Sequence, residues 1–249
     1  MKDIENPFDM LNSPLLSDVG LNMQAAFPVS SLPLELAKQM AELLGEKGRS
    51  GWLLLLGNGG RRFWEQLPVT AWDRTHPLDR QSVEYAERYL QAEFPEREYQ
   101  VLYPSAAPVA LQQLGKLAGW HYDSPLKLGI NSVFGLWYAY RVLLWVAGDA
   151  PVTRTVALES PCKTCTDMLC IPACPASALS TVPTHQDAKY RNAKNLDACI
   201  DYRLQAESPC QSNCIARCRC PVATDHQYSQ QQLNYHYRQS FETIVRWRF

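Results

Sequence analysis

A chain of 249 residues that is 46% hydrophobic and 20% charged has ordinary globular composition, and a formal net charge of −1 gives no field that would gather DNA or RNA. Asp3 and Glu5 stand where an export signal would carry basic residues, and the apolar stretch 133–147, broken by Gly135 and Arg141, is shorter than the roughly 20 residues that span a bilayer. No DNA and no membrane partner is expected, and the chain reads as cytoplasmic.

Residues 32–44 place Leu36, Met40, Leu43 and Leu44 at helical spacing, with Ser31 as N-cap and Pro33 near the first turn. Residues 52–56 are a continuous apolar run, a buried strand ended by a turn at Gly57-Asn58-Gly59-Gly60. With Arg61 and Arg62 behind it, that turn offers N–H groups and charge to a phosphate. It lacks the lysine and spacing of a P-loop, however, and an ordinary turn is the better reading. A helix through Phe63 and Trp64, a helix over 82–94, a strand over 99–103 and a helix over 109–117 follow. Residues 128–133 and 136–146, rich in β-branched and aromatic side chains, read as two strands pairing about a bend near Phe134-Gly135, although the second also fits a buried helix. After the cysteines, Ser229 and Gln232 mark the capping box of a final helix over 230–245, with Trp247 and Phe249 placed to seal it.

Cysteine placement divides the chain: all nine cysteines lie between Cys162 and Cys220. The expected class is α+β, with a mixed α/β domain built on a central sheet over 1–150, a ferredoxin-like double-cluster module over 151–228 and a C-terminal helix over 229–249 packed on the body.

The first cysteine group, Cys162, Cys165, Cys170 and Cys174 followed by Pro175, carries its own prediction. Three close thiolates wrap one cuboidal cluster, while a fourth, redirected by proline, ligates a second cluster. That second set is available in Cys199, Cys210, Cys214, Cys218 and Cys220, the last again followed by proline. By analogy with the crossing pattern, Cys162, Cys165, Cys170 and Cys220 hold one 4Fe-4S cluster and Cys174, Cys199, Cys210 and Cys214 the other. Cys218 competes with Cys220, which Pro221 favours. The four residues between Cys165 and Cys170 depart from the two of the bacterial ferredoxin run.

Three other readings compete. Disulfides need an oxidising compartment and leave one of nine cysteines over. Structural zinc favours separated CxxC pairs, of which Cys162 and Cys165 are one. Unligated buried thiols would scatter along the chain. In the N-terminal part, Trp137, Tyr138 and Arg141 are the candidate cofactor-binding side chains, against the plainer reading that aromatics on a buried strand are core. Arg141, inside an apolar run, must be paired or must touch an anionic group. His121, near Asp123, reads as a wet loop histidine in preference to a proton donor or ligand. No catalytic residue is named.

The order of these features resembles the epoxyqueuosine reductase group of iron–sulfur proteins, relatives of reductive dehalogenases, and especially their short bacterial ferredoxin-like members. The residues that carry it are Ser124-Pro125, Leu128-Gly129-Ile130, Phe134 through Arg141, the first cysteine group with Pro175, the lone Cys199, and Cys214 through Pro221. The resemblance implies an N-terminal domain that binds a corrinoid (cobalamin), with a flavin as another option, and two 4Fe-4S clusters that feed it electrons. It implies an oxidoreductase with a redox partner protein and a small-molecule substrate, or else a non-catalytic ferredoxin-like electron carrier or cluster-stabilised binding module. The family's acidic proton donor falls in a segment matching 101–108, which has no carboxylate here. Without the helical-repeat extension of the longer reductases, transfer RNA is not expected as a partner.

Overall fold

The computed structural model describes residues 6–151, 153, 158–179 and 193–248 and, of 193–195, the backbone. Along these residues run α1 (Pro14–Ser17), β1 (Met23–Pro28), α2 (Leu34–Leu44), β2 (Trp52–Gly59), α3 (Arg62–Glu65), α4 (Pro77–Glu93), β3 (Tyr99–Tyr103), α5 (Leu111–Leu117), β4 (Tyr122–Asp123), β5 (Gly129–Ile130), β6 (Tyr138–Val146), α6 (Ala193–Leu204), α7 (Ile215–Cys218) and α8 (Gln230–Arg248). The class is α+β. The chain forms two compact units, one of Met1–His121 with Tyr138–Leu158, the other of Tyr122–Trp137 with Glu159–Phe249. The division is thus not a single cut near Pro151.

In the first unit the strands order as β1-β2-β6-β3, every pair antiparallel. Strands β2 and β6 are central, β2 buried along its length and β6 from Arg141 onward, which is why residues 52–56 and 142–146 are continuous apolar runs with no polar alternation. Each large side chain buried there, Trp52 and Leu53 to Leu56 among them, contributes roughly 1.5–3 kcal/mol by leaving water. Strand β2 continues through Gly59 and does not end in a turn at Gly57. A Cβ on Gly57 would stand 2.9 Å from the Ala139 carbonyl oxygen, so glycine permits the close approach of β6. The Asn22 side chain clasps Gly59, accepting from its N–H at 2.7 Å and donating to its carbonyl at 3.1 Å. Arg61 and Arg62 pair with Glu65 and Asp18 at the surface.

Helix α2 begins at Leu34 with Pro33 as N-cap, because the Ser31 hydroxyl donates to the Pro28 carbonyl instead of capping. Gly45, at φ +61°, ends it. Helix α4 begins at Pro77, earlier than the apolar pattern showed, since proline is favourable in a first turn. It packs against β6, and Phe94 just beyond its end meets the Trp52 ring edge-on at 5.4 Å.

In the second unit, 128–133 does not pair with β6. Strand β5 pairs with β4, and the Asn131 side chain accepts from the N–H groups of Val133 and Phe134 at 3.1 and 2.7 Å, closing a turn where a hairpin was expected. Two apolar clusters follow, one of Ile130, Leu136 and Cys220, the other of Trp137, Tyr228 and Leu233. In α8 the Gln232 N–H donates to Ser229 Oγ at 3.2 Å, one arm of the capping box, while Gln232 Oε1 is buried with no donor among the described residues. Trp247 seals nothing, being 88% exposed, and Phe249 lies outside the described residues. No described helix is long and apolar enough to cross a membrane.

Candidate metal centre

Two short stretches of identical sequence, Glu159-Ser160-Pro161-Cys162 and Glu207-Ser208-Pro209-Cys210, open the two halves of the cysteine region. Each folds into a 3-10 turn with proline at its start. The preceding serine has φ −64°, ψ 122° in one and φ −61°, ψ 127° in the other, and Lys163 and Gln211 donate N–H bonds to the Ser160 and Ser208 carbonyls at 3.0 and 3.1 Å. The halves are local repeats, a signal present in the sequence that the cysteine spacing alone does not reveal.

From these turns the chain gathers thiols. Burial pushes Cys162 up to about 11, and the nearby charges of Cys220, Cys170 and Cys165 push in the same direction. Cys170 is raised by burial and then by Cys220 and Cys165, and Cys220 by burial with Cys165 adding to it. These four line one small hollow, partly open to solvent, with Leu126, Ile130, Leu136 and Met168 in its wall. The long spacer between Cys165 and Cys170 is absorbed by Met168, at φ 41°, whose carbonyl accepts from Ile171 at 2.9 Å.

The remaining thiols form a second group. Cys199 is raised by burial and by Cys214, Cys174 and Cys210. Cys210 and Cys214 are likewise raised by burial first and by Cys174 among their neighbours. Cys199 comes from α6, a helix that the apolar pattern around it does not signal. The Cys218 thiol donates to Asn213 Oδ1 at 3.1 Å and packs against the cluster of Trp137, Tyr228 and Leu233. Among the described residues no three His, Cys, Asp or Glu side chains are gathered tightly enough to hold a single metal ion. The donor chemistry and the two separate gatherings of four fit a pair of thiolate-ligated polynuclear clusters.

Around the second group lie Arg203, Arg217 and Tyr237. Burial raises the Cys214 thiol, with Tyr237 nearby acting against it, and Tyr237 itself is pushed up by burial.

Trp137 belongs to the second unit, fully buried against Tyr228 with ring centres 5.4 Å apart. Tyr138 and Arg141 lie on β6 in the first. Arg141 is the extra residue where the register with β2 slips between Leu56 and Gly57, a bulge that re-aims its side chain. Its Nε donates to Asn58 Oδ1 at 2.6 Å, its guanidinium lies 5.4 Å from the Phe63 ring centre, and its Nη2 is buried without an acceptor among the described residues. The expected partner is therefore the neutral amide of Asn58. Tyr103 lies near enough for the Arg141 charge to lower its pKa, though burial and Asp79 raise it. His121 is buried, not a wet loop residue, with Nδ1 3.2 Å from the Tyr140 hydroxyl and 3.4 Å from that of Tyr138. Gly115 makes room, since a Cβ there would fall 1.8 Å from the Tyr140 oxygen.

No family model matches the chain, and neither does any curated protein. Among solved structures, an epoxyqueuosine reductase held with an epoxyqueuosine-modified transfer RNA stem loop superposes with TM-score 0.51 at 12% identity, over 92% of this chain and 69% of that one. The chain shares the epoxyqueuosine reductase fold. Reductases from Streptococcus thermophilus (TM-score 0.49, 14% identity, 84% of this chain) and Bacillus subtilis (0.47, 12%, 90%) are also similar. The chain spans 64% of the Streptococcus enzyme and 68% of the Bacillus one. The complex corrects one expectation, that transfer RNA is not a partner. A protein with this fold takes a transfer RNA stem loop. A near-neutral net charge averages over the whole surface and does not report a local binding face, so it could not exclude RNA.

Proposed function

We propose that the chain is a two-cluster iron–sulfur redox protein. In this reading Cys162, Cys165, Cys170 and Cys220 ligate one 4Fe-4S cluster, Cys174, Cys199, Cys210 and Cys214 ligate the other, and single electrons pass to a reducible site in the N-terminal unit. The observation that supports it is that Cys162, Cys165, Cys170 and Cys220 line one hollow, while Cys199 has Cys174, Cys210 and Cys214 as its thiol neighbours. Buried thiols resist ionisation on their own; binding iron draws off their protons, which is why metal loading and folding of such a region are linked.

In the N-terminal unit Arg141 keeps a buried Nη2 donor, without an acceptor among the described residues, for a polar group of a cofactor or substrate. A cobalamin or flavin, when bound, would supply the reducing centre there. Transfer RNA bearing a modified nucleoside is the proposed substrate-carrying partner, supported by the shared fold. The absence of a carboxylate from 101–108 favours a second reading, a non-catalytic electron carrier. Anaerobic titration of the cluster-loaded protein with cobalamin, flavin mononucleotide and a transfer RNA stem loop separates the two. Saturable binding supports the reductase, whereas electron exchange without any binding leaves the carrier.

A further inference from the structure

Reduction of a thiolate-ligated cluster adds one negative charge without a bound proton, so fixed cations in a low-dielectric surrounding decide which of two clusters is reduced first. The two thiol groups differ sharply in this respect. Arg203 lies one helical turn beyond Cys199 on α6 and is 8% exposed. Its Nε donates to the Cys210 carbonyl at 3.0 Å, Nη1 to Ser240 Oγ at 3.2 Å and Nη2 to the Tyr237 carbonyl at 3.3 Å. Arg217 follows Cys214 on α7 and is 9% exposed. Its Nη2 donates to the Leu136 carbonyl at 2.6 Å, and its guanidinium lies 4.4 and 5.0 Å from the Trp137 and Tyr228 ring centres. Every acceptor is neutral, and Arg217 Nε has none among the described residues. Two buried cations without a carboxylate partner among the described residues are expensive unless an anion stands beside them. The first group has apolar walls instead; the cations next to it in sequence, Lys163 and Arg219, are exposed and screened by water.

We propose, resting on the two-cluster reading, that Arg203 and Arg217 make the Cys174, Cys199, Cys210 and Cys214 site the more easily reduced of the two, so that an electron entering either site settles there. In that transfer one electron leaves the first site and enters the second; no bond breaks and no proton moves. A low-potential one-electron reductant supplies it, dithionite in the test.

The test is a redox titration of the cluster-loaded protein followed by electron paramagnetic resonance, with iron and sulfide counted in every variant. Wild type should show two one-electron waves. Arg203→Gln and Arg217→Gln should each lower the more positive wave by about tenfold in reduction equilibrium, or about 59 mV, and leave the other in place. Arg217→Lys and Arg203→Lys should recover most of the shift. Movement of the more negative wave, or of neither, overturns the proposal. So does loss of iron in the glutamine and lysine variants alike, which would make the arginines structural supports only. A wild-type preparation that takes up no iron sinks the two-cluster reading itself, a result distinct from the others.

Discussion

Gly135 joins two requirements at one atom. Its φ of +57° is left-handed backbone, and a Cβ built there would stand 2.4 Å from the Val222 carbonyl oxygen, two residues beyond Cys220. Left-handed backbone costs a non-glycine residue about 1–2 kcal/mol, and forcing extra volume against packed backbone adds about 1–3 kcal/mol. Gly135→Ala should therefore cost about 2–5 kcal/mol, a fall of roughly 4–20 °C in the apparent unfolding midpoint of a chain this size. Gly45 is the control, because its φ is +61° but nothing lies within 4 Å of its Cβ position. Gly45→Ala should show the backbone part alone, about 1–2 kcal/mol. Anaerobic melts followed by circular dichroism and visible absorbance provide the comparison, and Gly135→Ala should also bleach at lower temperature as the Cys220 segment shifts. Equal midpoints for the two variants would refute the close approach to Val222.

Cys220→Ser should lose about half of the bound iron, whereas Cys218→Ser, whose hydroxyl can still donate to Asn213, should lose none; equal losses would reassign the ligand. Asn58→Ala removes the acceptor of the Arg141 Nε and should cost about 1.5–3 kcal/mol in chemical denaturation, with an unchanged midpoint counting against the buried pair. Burial, with the charge of Glu93 second, pushes the Tyr89 phenol from 10 up to about 12. Because the folded state holds the neutral phenol more tightly, that contribution is intact below pH 10 and is lost as the pH climbs towards 12. Tyr89→Phe should flatten the alkaline fall in stability across that window, and an unaltered slope would place the sensitivity elsewhere.

The parts of the fold legible in the sequence were those with a strong local signal: the apolar run of β2, the periodic tyrosines of α4, and β3, whose bounds the pattern matched. The parts that were not legible depend on partners distant in sequence. The Gly57-Asn58-Gly59-Gly60 stretch looks like a turn until Ala139 and Asn22 are beside it. The 128–133 segment has strand-forming residues, but the Asn131 side chain takes the N–H groups a hairpin would have used. Strand β1 was missed because its alanines and terminal proline carry little strand preference on their own. In the candidate site, cysteine spacing with proline suggested two crossed groups of four. The repeated Ser-Pro-Cys turns were equally visible but unread, and the placing of Cys199 on α6 needed the helix. Arg141 was flagged as a buried charge, yet the bulge that turns it onto Asn58 lies in strand register, which one strand's sequence does not encode.

Protein isolated and kept free of oxygen, then analysed for iron, acid-labile sulfide and zinc per chain, addresses the pairing of eight thiolates most directly. Two 4Fe-4S clusters require about eight irons and about eight sulfides, with zinc absent. Zinc without sulfide, or a metal-free chain with its cysteines joined as disulfides, would contradict the account.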